Sequence, residues 1–99
     1  MVKIKAFFLF VKINNAEKMI TASIDGKCKE DTWQSHYGPA SDSVELHTNT
    51  LRAFEESLNS LEEYFGPIIS VVKTDKIITG EMLEEVITYT FLIFCSIKK

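Results

Sequence analysis

The run Val86 to Ile97, VITYTFLIFCSI, constrains the fold more than any other part of the chain. Its odd positions Ile87, Tyr89, Phe91, Ile93, Cys95 and Ile97 are all apolar, while Thr88, Thr90 and Ser96 interrupt the even ones. A period of two belongs to a strand, whose successive side chains point to opposite faces. The other end of the chain carries a matching run. Val2 to Ile13, VKIKAFFLFVKI, opens with Lys3 and Lys5 alternating against Val2 and Ile4, then becomes apolar at both parities from Ala6 to Val11. A strand apolar on both sides needs cover on both faces, so the two runs predict a sheet that something must sandwich.

One helix stands between them. Leu51, Phe54, Leu58, Leu61 and Phe65 recur at three- and four-residue intervals, and Arg52, Glu55, Glu56, Asn59, Glu62 and Glu63 fill the rest. The spacing predicts an amphipathic helix over Leu51 to Phe65 with that apolar stripe turned inward. Gly66-Pro67 ends it, because Gly admits a left-handed conformation and Pro cannot extend the hydrogen-bond ladder. Its start has two readings. Thr48 or Asn49 caps it if Val44 to His47 forms a short strand, whereas Ser41 or Asp42 caps a longer helix that begins before Glu45.

The remaining segments are shorter. Asn14-Asn15-Ala16-Glu17 is turn chemistry, and Ile20, Ala22 and Ile24 alternate with Thr21, Ser23 and Asp25, which predicts an antiparallel hairpin of the first two strands. Lys27 to Asp42, with Gly38 and Pro39, reads as the longest irregular segment, anchored on the body by Trp33 and Tyr37. Ile68 to Val72 is a further strand, Thr74-Asp75-Lys76 a turn, and Thr79 to Glu85 at most two helical turns. The expected fold is a single α+β domain over residues 1–99: a mainly antiparallel sheet of four or five strands with one long amphipathic helix packed on one face.

With 45% hydrophobic content and seven Phe, 99 residues can form one core without disulfide or metal support. A chain of this length buries only about 60–65% of its unfolded surface, so the sheet's apolar faces are covered by the helix, by a partner, or by both. The net charge of −3 and scattered lysines, with Lys98 and Lys99 the sole basic tail, disfavour a binder of phosphate backbones. Val86 to Ile97 is the longest uncharged run and falls short of the roughly 20 apolar residues of a spanning helix. Lys12 follows the first apolar run where a signal peptide needs small residues, so a soluble, intracellular protein is expected. Cys28 and Cys95 make no disulfide framework, although one bridge between them is open.

Cys28, His36 and His47 are the available soft ligands and match no close-paired zinc spacing, so neither metal nor other cofactor is expected. Glu30 and Asp31 beside Cys28 oppose a thiolate nucleophile. Gly26, Gly38, Gly66 and Gly80 are isolated and build no phosphate loop. Glu55, Glu56, Glu62 and Glu63, followed by Glu81, Glu84 and Glu85, make an acidic surface that is either a solvated helix face or a dock for a basic partner. The candidate interaction residues are Trp33, Tyr37, Glu55, Glu56, Glu62 and Glu63.

Two resemblances add to this reading. Asp25-Gly26-Lys27-Cys28 resembles the Asp-Gly-Ser-Cys end of the first strand in ribonuclease H, Val44-Glu45-Leu46 its helix-borne glutamate, and Thr74-Asp75 its strand-end aspartate. That resemblance implies a metal-dependent nuclease whose two metal ions Asp25, Glu45 and Asp75 would hold. In length and in its lysine-, isoleucine- and threonine-leaning vocabulary the whole chain resembles small orphan proteins of filamentous archaeal viruses, which implies accessory work or binding of a host protein. The leading expectation is a non-enzymatic protein-interaction module, a homodimer covering a leftover apolar face. The alternatives are that nuclease, active or degenerate, and a weak nucleic-acid binder using Lys3, Lys5, Trp33 and Tyr37.

Overall fold

The computed structural model describes residues 2–25, 33–81 and 84–98. Along the chain lie β1 (Val2–Asn14), β2 (Met19–Asp25), β3 (Trp33–Tyr37), α1 (Ser43–Tyr64), β4 (Ile68–Thr79) and β5 (Val86–Lys98). The strands form one antiparallel sheet in the spatial order β3-β2-β1-β5-β4, with α1 on one face, so the α+β architecture expected from the sequence is the one found. At its centre are the two terminal runs. β1 and β5 pair along their whole length, Val2 opposite Lys98 and Asn14 opposite Val86, whereas β2 pairs only with the Phe8 to Asn14 half of β1.

Register assigns the faces, because directly opposed residues of antiparallel strands project from the same side. Phe7, Leu9, Val11 and Ile13 of β1 share a face with Ile20, Ala22 and Ile24 of β2 and with Ile93 and Cys95 of β5, and all of these are buried. α1 covers this face. It runs closest to β2, with further contact to β1 and β3, and two ring pairs tie it down: Phe54 with Phe91 at 4.8 Å and Phe65 with Phe7 at 4.6 Å.

The helix ends are set by local chemistry. Asp42 is the N-cap, with extended backbone and a carboxylate that accepts the Glu45 N–H at 2.8 Å, while the Ser41 hydroxyl donates to the Glu45 carboxylate at 2.8 Å. This is the longer of the two expected helices, and Val44 to His47 is helical, not a strand: the cap satisfies an amide that a helix start leaves unpaired. At the other end the Phe65 N–H bonds the Leu61 carbonyl at 2.9 Å. Gly66 then takes φ +140°, where any Cβ would run into the Ser96 carbonyl oxygen. The chain crosses to β4 through that contact, and the Ser96 N–H donates to the Pro67 carbonyl at 2.8 Å.

Three further expectations are corrected. The inward line of α1 is Leu46, Ala53, Ser57 and Leu61, while Phe54, Leu58 and Phe65 pack along its border and Leu51 is 57% exposed. The helix is thus rolled about a quarter turn from the line of its largest apolar residues. Small side chains at the centre let the helix approach the sheet, and the large ones fill its margins. Secondly, the segment Lys27 to Asp42 is not wholly irregular, since Trp33–Tyr37 pairs with β2 as an edge strand; residues 26–32, Cys28 among them, lie outside the described part. Thirdly, Thr74-Asp75-Lys76 is not a turn. β4 continues through it to Thr79 with a register shift between Lys73 and Asp75, so the turn-prone residues are absorbed as a bulge on an edge strand. The Thr79 to Glu85 segment contains one tight turn, Glu84 N–H to Glu81 carbonyl at 3.0 Å, and residues 82–83 lie outside the described part.

Candidate interaction surfaces

The face of the sheet opposite α1 carries the even positions of β1 and β5. Ile4, Ala6, Phe8 and Phe10 oppose Ser96, Phe94, Leu92 and Thr90, and across β5 Leu92 opposes Val72. Among the described residues no helix or strand packs on this side. Its apolar members are open to solvent to differing degrees: Ile4 is 63% exposed, Phe8 45% and Val72 48%, while Ala6, Phe10, Leu92 and Phe94 are half-buried, and Phe8 and Phe10 stack with ring centroids 6.2 Å apart. Toward β2 and β3 the same face turns polar, with Thr21, Ser23, Asp25, Gln34 and His36, and the Thr21 hydroxyl lies 3.2 Å from His36 Nδ1. The apolar part crosses three strands and runs from Ile4 to Phe10, which at about 4.8 Å between strands and 3.3 Å per residue is roughly 300 Å².

A second uncovered region lies beside the helix. α1 shields β1, β2, β3 and the Ile93–Cys95 end of β5, but leaves the helix-side face of β5 from Ile87 to Phe91 partly uncovered as a groove of about 500 Å³. Leu46, Leu51 and Phe54 form one wall, and Ile87, Tyr89 and Phe91 of β5 form the floor. The far rim is β4, where Lys73 and Lys76 oppose Phe91 and Tyr89 and so stand on this side. Their ammonium groups lie 6.0 Å and 5.5 Å from the Tyr89 ring centroid, within cation–π range. Neither lysine has an ion-pair partner among the described residues.

The residues singled out in the sequence are dispersed over the molecule. Trp33 and Tyr37 project from the helix side of β3 and pack against the core margin, half-buried, as anchors. Burial, with the Glu56 carboxylate beside it, pushes the Tyr37 phenol up from its ordinary value. Glu55, Glu56, Glu62 and Glu63 are exposed on α1, as two adjacent pairs seven residues apart; Glu56 also meets Arg52 at 3.6 Å. Lys5 lies over Phe65 at 5.3 Å, away from β3, so Lys3 and Lys5 do not join Trp33 and Tyr37 in one patch. Asp25 and Asp75 sit on β2 and β4, three strand spacings or about 14 Å apart, and Glu45 is on α1 across the sheet, bonded to Ser41. These carboxylates do not converge. His36 and His47 likewise lie on opposite sides of the sheet. Cys95 is a free thiol, fully buried, its pKa raised first by burial and then by Glu62.

The groove was not legible in the sequence. The sequence reading puts Lys76 in a turn and assigns Lys73 no role, and only the β4–β5 register shows that both share a side with Tyr89. Among the described residues no helix is long and apolar enough to cross a membrane. No protein-family model, curated protein or solved structure matches this chain.

Proposed function

We propose that this protein is an interaction module that works as a homodimer through the uncovered face of its sheet. The observation that carries this reading is the apolar patch of Ile4, Phe8, Phe10, Val72, Leu92 and Phe94 on a face with no covering layer among the described residues. A patch of roughly 300 Å² is the size at which an exposed apolar surface is often functional. With its polar margin on β2 and β3, five strands at about 4.8 Å spacing give a face of roughly 600–700 Å², close to the ~800 Å² per partner of a standard interface.

Face-to-face packing is favoured over growth of the sheet at its edges. β3 is a short edge of five residues, and β4 is broken by two register shifts and carries Lys73 and Lys76 at its middle. Bulges and lysines are the devices by which an edge strand resists pairing with another copy. The acidic outer side of α1 stays free in such a dimer for a second, basic partner.

Sedimentation equilibrium tests the assembly. The wild-type chain of 11.3 kDa is expected at twice its monomer mass, and Phe8→Glu, which places a charge in the centre of the patch, is expected as a folded monomer with an unchanged circular-dichroism spectrum. A wild-type monomer at the highest soluble concentration overturns the homodimer.

A further inference from the structure

We infer that the groove beside α1 is a berth for a second helix: an amphipathic, acidic helix from a partner protein, lying alongside α1 over β5. This site is separate from the open sheet face. α1 runs over β2, and helices pack with axes 8–10 Å apart. A helix beside α1 at that spacing lies two strand spacings from β2, about 9.6 Å, which is directly above β5.

The floor there has the right chemistry for an apolar helix face. Ile87, Tyr89 and Phe91 project upward from β5, and Leu51, rolled out of the core by the quarter-turn placement of α1, forms the side wall. From the level of Asn15 to that of Leu9 the groove is about 20 Å long at 3.3 Å per residue, enough for a helix of about 13 residues at 1.5 Å each. Its inner end is closed by the Phe54–Phe91 ring contact.

The charge pattern selects the partner's sign. Lys73 and Lys76 stand along the rim away from α1, and no carboxylate among the described residues pairs with them. A helix in the berth turns one flank to these lysines and the other to α1, whose groove side offers His47, Thr50 and Leu51, with Glu55 a turn further on. The fitting occupant therefore has apolar residues at i, i+3, i+4 and i+7 and a line of Glu or Asp on the flank toward β4. Ion pairs made there are half-exposed, so they set orientation and selectivity more than affinity.

The probe is a synthetic amphipathic peptide of Leu and Ala with Glu along one flank, compared with its Glu→Lys counterpart by fluorescence anisotropy at low salt. The acidic peptide is expected to bind wild-type protein and the basic one not to. The double variant Lys73→Glu/Lys76→Glu should bind the acidic peptide about tenfold less tightly and gain the basic one. Phe8→Glu should bind like wild type, because its lesion lies on the other face; this separates failure of the berth from failure of the dimer. Equal binding of both peptides, no binding of either, or an acidic-peptide affinity untouched by the charge swap overturns the inference. So does a long-chain carboxylate that competes fully with the acidic peptide, since that would mark the groove as a small-amphiphile site.

Discussion

Cys95 and Tyr37 show what burial does to single groups. Cys95 is enclosed by the core and has Glu62 nearby, and Tyr37 is half-buried with Glu56 beside it, so the anionic form of each is disfavoured in the folded chain. The sign of the consequence follows from proton counting. Above pH 9.0, the ordinary thiol value, the unfolded chain releases the Cys95 proton while the folded chain keeps it. The stabilising effect of the neutral thiol is therefore fully present below that pH and is lost as pH rises through the raised folded value; Tyr37 acts in the same sense above 10.0. Denaturant titrations at increasing alkalinity should show falling stability. Cys95→Ala should start lower, because it opens a cavity, yet fall less steeply. A parallel fall in both proteins contradicts the role assigned to Cys95.

At the scale of elements, α1 is placed by its small residues. Ala53 and Ser57 sit at the centre of the helix–sheet contact, and the Ser57 hydroxyl donates to the Ala53 carbonyl at 2.6 Å, so its burial leaves no polar group unpaired. The roll of the helix has a mutational signature. Ser57→Ala should lie within about 0.5 kcal/mol of wild type, whereas Ser57→Leu should cost about 1–3 kcal/mol by overpacking. Phe54→Ala, which loses its ring contact with Phe91, should cost about 3 kcal/mol, and Leu51→Ala within about 0.5. Chemical denaturation of the four variants checks the roll: a large cost at Leu51 with a small one at Ser57→Leu would restore the stripe expected from size alone.

The whole molecule is elongated, with extents of 49 × 22 × 21 Å. Its long dimension matches β1 and β5, thirteen residues each, or about 43 Å at 3.3 Å per residue. Because the central pair joins the two ends of the chain, nearly the whole sequence must be closed into a loop before that pairing forms. Stability should be graded outward from this pair, since β4 is exposed along almost its entire length while the inward positions of β1 are buried. Hydrogen exchange should therefore find the slowest amides in Phe7 to Ile13 and their β5 partners, and fast exchange along the free edge of β4. Uniform protection across the sheet in the dimer would instead indicate that the edge is covered, contrary to the proposed face-to-face assembly.

The sequence by itself determined the elements whose signals are local. Period-two alternation marked β1, β2 and β5, the turn chemistry after Asn14 marked the first hairpin, and Gly66-Pro67 marked the end of the helix, because turns and stops are settled by a few neighbouring atoms, whereas the choice of Asp42 over Thr48 or Asn49 as its cap came only with the structure. It also foretold a leftover apolar face, since β1 and β5 carry large residues at both parities and one helix can cover only one side. What only the tertiary structure decided depends on partners far apart in sequence. The roll of α1 follows from how closely Ala53 and Ser57 let it approach the sheet, and the conversion of Thr74 to Lys76 from turn to bulge follows from pairing with β5. The groove exists because α1 settles toward β2, leaving the Ile87 to Phe91 stretch of β5 only partly covered beside it. Periodicity reports which side of an element is apolar; the neighbour it meets is chosen by packing across the sheet.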